Sequence, residues 1–256
     1  MKKIAIIGSH GLYANYGGWD QLVNNLAEKK SSDNELIIFN SSDSPRDFIV
    51  PKNVTVKRLW LKASGFQGIF FDFLSILISF KKVDTILLLG VQGIPLLLPL
   101  RLFKKIKIIS NVGGVEWERP KFSFFAKYYL KFCFNLSMNY SQTVILDNKY
   151  YKKFLPDKYK SNVMIIPYGG IIDKSLKITR KIELKYPFII NEYFLSISRA
   201  LEDNYLDKIC DVFSKTNLNL VLISNFYSSD YGTKVFNKYN KSSNLTLING
   251  LYNKAE

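Results

Sequence analysis

The sequence predicts an α/β protein made of two Rossmann-like, doubly wound parallel-sheet domains, the second of them incomplete. Three observations predict it. Short apolar runs alternate with helical patterns from the first residues onward, the rhythm of repeated βαβ units. Val83–Leu89 ends in an unbroken apolar run, Ile86–Leu89, as parallel strands covered on both faces do. The first run, Ile4–Ile7, passes through a glycine-rich loop, Gly8–Trp19, straight into a helical pattern with Leu22, Val23, Leu26 and Ala27 on one face.

Taken in order, Ile4–Ile7 is a buried strand, and Glu35–Asn40 and Val54–Leu59 are short ones with a polar Ser41–Asp47 loop between them. Phe66–Phe80 reads as a helix, either buried or lying against a surface. Val83–Leu89 is a strand, and Ile94–Phe103 a short helix with Pro95 in its first turn, where proline is tolerated. Ile106–Ser110 is a strand, Lys121–Tyr140 a long aromatic-rich helix, and Thr143–Leu146 a strand. Asn148–Phe154 is a helix ended by Pro156, and Val163–Ile166 a strand stopped by Pro167. Residues 1–170 therefore form a first domain. Residues 171–188 are basic and irregular, a linker. From 189 to 256 the rhythm restarts: strand Tyr193–Ser198, helix Asn204–Ser214, strand Leu218–Ser224, helix Tyr231–Tyr239 and strand Leu245–Ile248. That remainder is small for a whole α/β domain. It predicts a partial second domain.

In open parallel sheets the ligand lies beyond the carboxyl ends of the strands. Function is therefore expected in Gly8–Trp19, Gly90–Gly93, Asn111–Arg119, Asp147-Asn148 and Tyr168-Gly169-Gly170. The first of these joins a strand to a helix N-terminus, a geometry that aims backbone N–H groups at a phosphate. Gly17 and Gly18 let the backbone approach a ligand. The competing reading is an ordinary βα turn. The loop fits neither G-x-G-x-x-G nor a P-loop ending in G-K-[ST], which argues against NAD and ATP.

Lys plus Arg number 36 against 21 Asp plus Glu, a net charge of +15. Such a field favours anionic partners: nucleic acid, anionic lipid or phosphorylated substrates. The basic residues are scattered as pairs, and no nucleic-acid motif accompanies them. One histidine, His10, and two distant cysteines, Cys133 and Cys210, give no metal-ligand spacing. The thiols read as reduced and structural, in a cytosolic protein. Neither apolar stretch, Phe66–Phe80 or Ile86–Leu100, reaches the ~20 residues of a membrane span.

Four stretches carry a resemblance. They are Gly8–Asp20, Asn111-Val-Gly-Gly-Val-Glu-Trp-Glu-Arg119, Ile166-Pro-Tyr-Gly169 and Ser198-Arg199. Together they resemble the family 4 bacterial glycosyltransferases of GT-B fold, including capsule rhamnosyltransferases with a DUF1972-type N-terminal domain. The resemblance implies two domains facing each other across a cleft, with the acceptor mainly on the first and the nucleotide sugar mainly on the second. It implies a retaining transfer without an essential metal or other cofactor. It places Gly17, Gly18 and Arg199 at the donor diphosphate. An arginine and backbone donors suit a leaving group that gains negative charge. The sequence departs from the pattern at Gly113, where relatives usually carry Asp, and at Asp20, where they usually carry Glu. Glu202-Asp203-Asn204 stands where many carry a lysine, and the acidic donor-sugar motif has no counterpart before Glu256. The expectation that follows is a chain that folds as given but does not turn over a donor.

Glu116 and Arg119 are the catalytic candidates. Glu116 either meets a sugar hydroxyl or acts as a base, or else caps the following helix. Arg119 either binds phosphate or pairs with Glu116 or Glu118. His10, Asn111 and Trp117 are the acceptor-side candidates. His10 touches substrate or shapes the turn, and Trp117 stacks on a sugar or packs in the core. Asp147 and Asn148 read as helix caps. The helix Phe122–Phe134 interleaves aromatics with Lys127 and Lys131, a pattern that suits an anionic membrane surface as well as a core.

The expected function is transfer of a sugar, rhamnose among the candidates, from a nucleotide-sugar donor to a lipid-linked saccharide acceptor for a surface polysaccharide. The expected place is the cytoplasm, peripheral at the inner face of the plasma membrane. The alternative is a non-catalytic membrane-docking or partner module.

Overall fold

The computed structural model describes residues 2–14, 16–29, 33–100, 102–119, 122–159, 163–169 and 177–251. The chain divides into two compact units, 1–169 and 170–256.

The first unit runs β1 (Lys2–Ile7), α1 (Gly18–Lys29), β2 (Asn34–Asn40), β3 (Val54–Arg58), α2 (Gly65–Ser79), β4 (Thr85–Leu89), α3 (Ile94–Leu100), β5 (Lys107–Gly113), α4 (Phe124–Tyr140), β6 (Thr143–Leu146) and β7 (Val163–Ile165). Its strands form one seven-stranded sheet in the order β3-β2-β1-β4-β5-β6-β7, every neighbouring pair parallel. The order reverses between β1 and β4, which places a topological switch point at their carboxyl ends.

Alternation along the strands builds two cores. Ala5, Ile7, Ile37, Phe39, Ile86 and Leu88 face the layer of α2, α3 and α4, where Phe71, Ile76, Ile94, Leu97, Cys133 and Phe134 meet them. Ile6, Leu36, Ile38 and Leu89 face the opposite way, onto Val23 and Ala27 of α1. Each fully buried Ile, Leu or Phe contributes about 1.5–3 kcal/mol relative to exposure, so β1, buried on both sides, anchors the unit.

Two elements of this unit differ from the sequence reading. The fifth strand continues through Asn111 to Gly113, with a register shift between those residues. Asn111 thus lies in a strand rather than in a loop. Lys149–Phe154 is a 3₁₀ helix, with the Asn148 side chain accepting from the Tyr150 N–H at 2.8 Å.

Asp72 is a buried charge-bearing residue on α2. Burial pushes its carboxyl up to about 8, against a hydrogen bond from Gln92 that favours ionisation. Its folded value thus exceeds the unfolded one, and the folded chain holds the proton longer. Stability therefore falls as pH rises from about 4 towards 8, and the loss is complete above 8. Asp72→Asn is expected to be more stable than the wild type at pH 8 and to flatten that slope. Urea midpoints of both proteins at pH 5 and pH 8 check it, and parallel pH dependences would count against it.

The second unit runs α5 (Arg180–Lys185), β8 (Phe194–Ile197), α6 (Leu206–Phe213), β9 (Leu220–Ser224), α7 (Asp230–Tyr239) and β10 (Leu245–Asn249). The strands are parallel in the order β10-β9-β8. Leu206 and Cys210 of α6 and Val235 and Tyr239 of α7 pack on Leu220, Leu222 and Leu245. α5 falls in the stretch expected to be irregular. Thr179 caps it by accepting from the Ile182 N–H, and an Arg180–Glu183 pair spans its first turn. Residues 171–176 of that stretch lie outside the described residues. Cys133 and Cys210 are both free and buried, and burial pushes each thiol up to about 11, which keeps them protonated and unreactive.

Candidate functional site at the carboxyl edge of the seven-stranded sheet

The loop after β1 is organised by its own side chains. Gly8 turns away from the strand at φ +101°, and a Cβ there would lie 2.0 Å from the Leu89 carbonyl oxygen. Only glycine accepts that approach. Asp20, in the first turn of α1 and 2% exposed, accepts from the N–H groups of His10 (2.9 Å), Tyr16 (2.9 Å) and Gly17 (3.3 Å). Asn40 clasps Leu12 from both ends, accepting from its N–H at 2.9 Å and donating to its carbonyl at 3.2 Å. Asn24 accepts from the Tyr13 N–H at 2.7 Å.

Many of the N–H groups that the sequence aims at a phosphate are therefore spent inside the loop. The open part is its end. A Cβ built on Gly17 or Gly18 would meet nothing within 4 Å, and this is the N-terminus of α1, where helix geometry leaves donors unsatisfied. His10 is bound into the loop. Its Nδ1 lies 3.8 Å from Asp20 Oδ1, and its ring centroid is 4.2 Å from that of Tyr16. Its Nε2 is buried without a hydrogen bond among the described residues.

Trp19 lies across the ends of two strands. A Cβ on Gly90 would come 3.3 Å from its indole, and one on Gly113 would come 3.4 Å from it. Gly113 also has φ +63°. Where the resembling family usually carries Asp, this chain needs a residue at ease in the left-handed region and beside a bulky ring. The Tyr168 hydroxyl, after β7, accepts from the Asn111 amide at 3.4 Å and hydrogen-bonds with the Trp19 side chain. Asn111 is buried, and its oxygen accepts from the Gly113 N–H at 3.2 Å.

Glu116 opens a short 3₁₀ turn after β5 and Arg119 closes it as the C-cap. Arg119 Nη1 lies 3.2 Å from both Glu116 oxygens. Both side chains are about three-tenths exposed. Trp117 packs edge-on against Phe134, centroids 4.5 Å apart, at the margin of the core. Tyr151 lies against Gly114, where a Cβ would be 2.6 Å from its ring carbon Cζ. Burial raises the Tyr151 hydroxyl, with Asp147 and Glu116 adding to the rise and Arg119 opposing it.

Asp147 ends β6. Its neighbour Asn148 does the capping, so Asp147 is not needed for that. Its Oδ1 is buried and has no hydrogen-bond partner among the described residues. Burial raises its carboxyl, its own backbone N–H opposes this, and the charge of Glu116 adds to it. Burial likewise raises Tyr168, with Asp147 contributing. The loops after β5, β6 and β7 thus converge on one cluster: Glu116, Arg119, Asp147, Tyr151, Tyr168 and Asn111, with Trp19 from the first loop. Sequence reasoning named the loops but read Asp147 as a helix cap and passed over Tyr151 and Trp19. The signal that could have found them is their position just beyond strand ends. Among the described residues no group of His, Cys, Asp and Glu could hold a metal ion.

Arg199 lies in the second unit, just after β8. Its carbonyl accepts from the Asn204 amide at 2.7 Å, and the Asn225 side chain accepts from the Ala200 N–H at 2.8 Å.

The fold defines the class. This is an α/β protein of the GT-B type, a Rossmann-like seven-stranded parallel sheet with a smaller parallel sheet. Residues 101–171 match a family described as a domain of unknown function, DUF1972. No curated protein sequence matches the chain. Among solved structures the chain is similar to sucrose-phosphate synthase from Thermosynechococcus elongatus, with a TM-score of 0.77, 13% identity and coverage of 98% of this chain and 71% of that one. It is also similar to Anabaena HepE in complex with UDP and glucose (TM-score 0.65, 13% identity, 97% and 69% covered). A third is the UDP-GlcNAc 2-epimerase from Neisseria meningitidis bound to UDP-GlcNAc (TM-score 0.52, 14% identity, 100% and 73% covered).

Proposed function

We propose that this chain is a glycosyltransferase that moves a sugar from a nucleotide-sugar donor to a lipid-linked saccharide, for a surface polysaccharide. The observation that carries the reading is the cluster at the carboxyl edge of the large sheet. It sets a carboxylate–guanidinium pair, Glu116–Arg119, beside a second carboxylate and three aromatic rings. Carboxylates bind sugar hydroxyls, rings offer faces to sugar C–H groups, and a guanidinium suits phosphate oxygens. The similarity to a sugar-phosphate synthase and to proteins holding UDP or UDP-GlcNAc supports a nucleotide-sugar donor. In this reading Gly17, Gly18 and Arg199 serve the donor diphosphate, and rhamnose and a retaining course follow the family resemblance. The likeness to an epimerase favours a second reading, a nucleotide-sugar epimerase.

One experiment separates them. The chain is incubated with UDP- and dTDP-sugars, with and without a lipid-diphosphate-linked saccharide, and products are read by mass spectrometry. An extended saccharide with released nucleoside diphosphate supports transfer. An epimerised donor formed without acceptor supports the second reading. Unchanged substrates throughout would overturn both readings for this chain and match the expectation of a chain that folds without turning over a donor.

The reading includes a membrane surface. The helices α2, α3 and α4 cover one sheet face, and their outer side carries exposed apolar side chains: Phe66 and Phe70 on α2, Phe103 after α3, and Phe124, Phe125 and Tyr128 on α4, Phe125 being 83% exposed. Lys81, Lys82, Lys127 and Lys131 stand among them. No helix among the described residues is long and apolar enough to cross a membrane. We expect co-sedimentation with anionic vesicles that weakens with salt, since each basic residue near such a surface contributes about 1 kcal/mol. Equal binding to neutral vesicles would remove the electrostatic account.

A further inference from the structure

We propose that Asp147 is the carboxylate that receives the acceptor hydroxyl, an assignment that rests on the glycosyltransferase reading. The two carboxylates of the cluster are not equivalent. Glu116 presents both oxygens to one Arg119 nitrogen, so its charge is already met. Asp147 has a buried oxygen with no hydrogen bond among the described residues, and the charge that acts on it is that of Glu116, of the same sign. A buried acceptor left without a donor bears the whole cost of its desolvation. A hydroxyl placed there would remove that cost with a charge-assisted bond.

The surroundings say what kind of hydroxyl. Burial raises the Tyr151 and Tyr168 hydroxyls, and the charge of Asp147 adds to the rise of both. Trp19 hydrogen-bonds with Tyr168. An acidic oxygen edged by aromatic rings suits a neutral, polyhydroxylated ring with apolar C–H faces. A phosphate at Asp147 itself would meet a carboxylate of the same sign, whereas Arg119 lies with Glu116. The acceptor sugar is therefore placed beside Asp147, and the phosphates away from it. Asp147 follows β6 directly, and the capping of the next turn is done by Asn148. Beyond the bond from its own backbone N–H, the carboxylate is thus not needed for the cap.

The test is steady-state kinetics of the full chain with UDP-glucose and UDP-N-acetylglucosamine as donors and farnesyl-diphosphate-linked N-acetylglucosamine as acceptor. Asp147→Asn and Asp147→Ala are expected to raise the acceptor KM by about ten- to a hundredfold, the value of a lost charged hydrogen bond. The donor KM and the melting temperature are expected to stay at wild-type values. Asn148→Ala, which removes the neighbouring cap, is expected to leave the acceptor KM within about twofold, well below that range. An unchanged acceptor KM in Asp147→Asn, with the wild type active, overturns the assignment and leaves the glycosyltransferase reading standing. So does a rise in Asn148→Ala equal to that in Asp147→Asn, which would place the effect in the loop's shape. A wild type that transfers from neither donor overturns the reading for UDP-sugars and this assignment with it.

Discussion

Replacing Glu116 by Gln is expected to reduce transfer at least about a hundredfold, the scale of losing one preorganised charged group at a reacting centre. The substitution keeps the shape and removes the charge that faces Arg119 across 3.2 Å. Arg119 then faces a neutral amide instead of a carboxylate, and the preorganised charge pair of the cluster is lost. The fold should not notice. Both side chains are about three-tenths exposed, and a pair so open to water is worth at most about 1 kcal/mol. The measurement is turnover alongside a thermal melt. Near-normal turnover with an unchanged melt would leave Glu116 as a holder of local structure only.

Gly8→Ala is expected to act on the fold itself. An added methyl would sit 2.0 Å from the Leu89 carbonyl oxygen, and the backbone is at φ +101°. Both the contact and the dihedral must be relieved, and the contacting atom is backbone in a central strand, which cannot swing aside. A loss of about 3 kcal/mol or more is expected from combined strain and overpacking. Urea denaturation reads it. Gly17→Ala is the matched control, since its Cβ would meet nothing within 4 Å. Equal midpoints for the two variants would contradict the account.

The two predictions draw on different degrees of legibility. The strands were legible because a strand buried on both faces must be apolar throughout, and Ile4–Ile7 and Ile86–Leu89 are. The end of β5 was not, because Asn111 and Gly113 carry turn residue types while their backbones still pair with Ile145 and Leu146. α5 was hidden because Arg180–Lys185 has too few apolar residues to show a period, and its support is a cap and an ion pair. In the site, the rule that ligands lie beyond strand ends named the loops whose side chains the structure brings together. It could not show that Asp20, Asn24 and Asn40 consume the first loop's donors, since those bonds join residues up to 28 positions apart. Nor could it show the bare oxygen of Asp147. That bareness is a fact about what its neighbours are doing, and no pattern in one strand end records it.

The placement of Trp19 has a practical consequence. Its indole lies over Gly90 and Gly113 and hydrogen-bonds with Tyr168, at the spot where loops from four strands meet. A fluorophore is therefore built into the site at its floor. Of the other two tryptophans, Trp60 is 79% exposed and Trp117 is packed on Phe134. With those two changed to Phe, the emission of the remaining indole would report any molecule that settles above the sheet edge, with no label and no knowledge of the reaction.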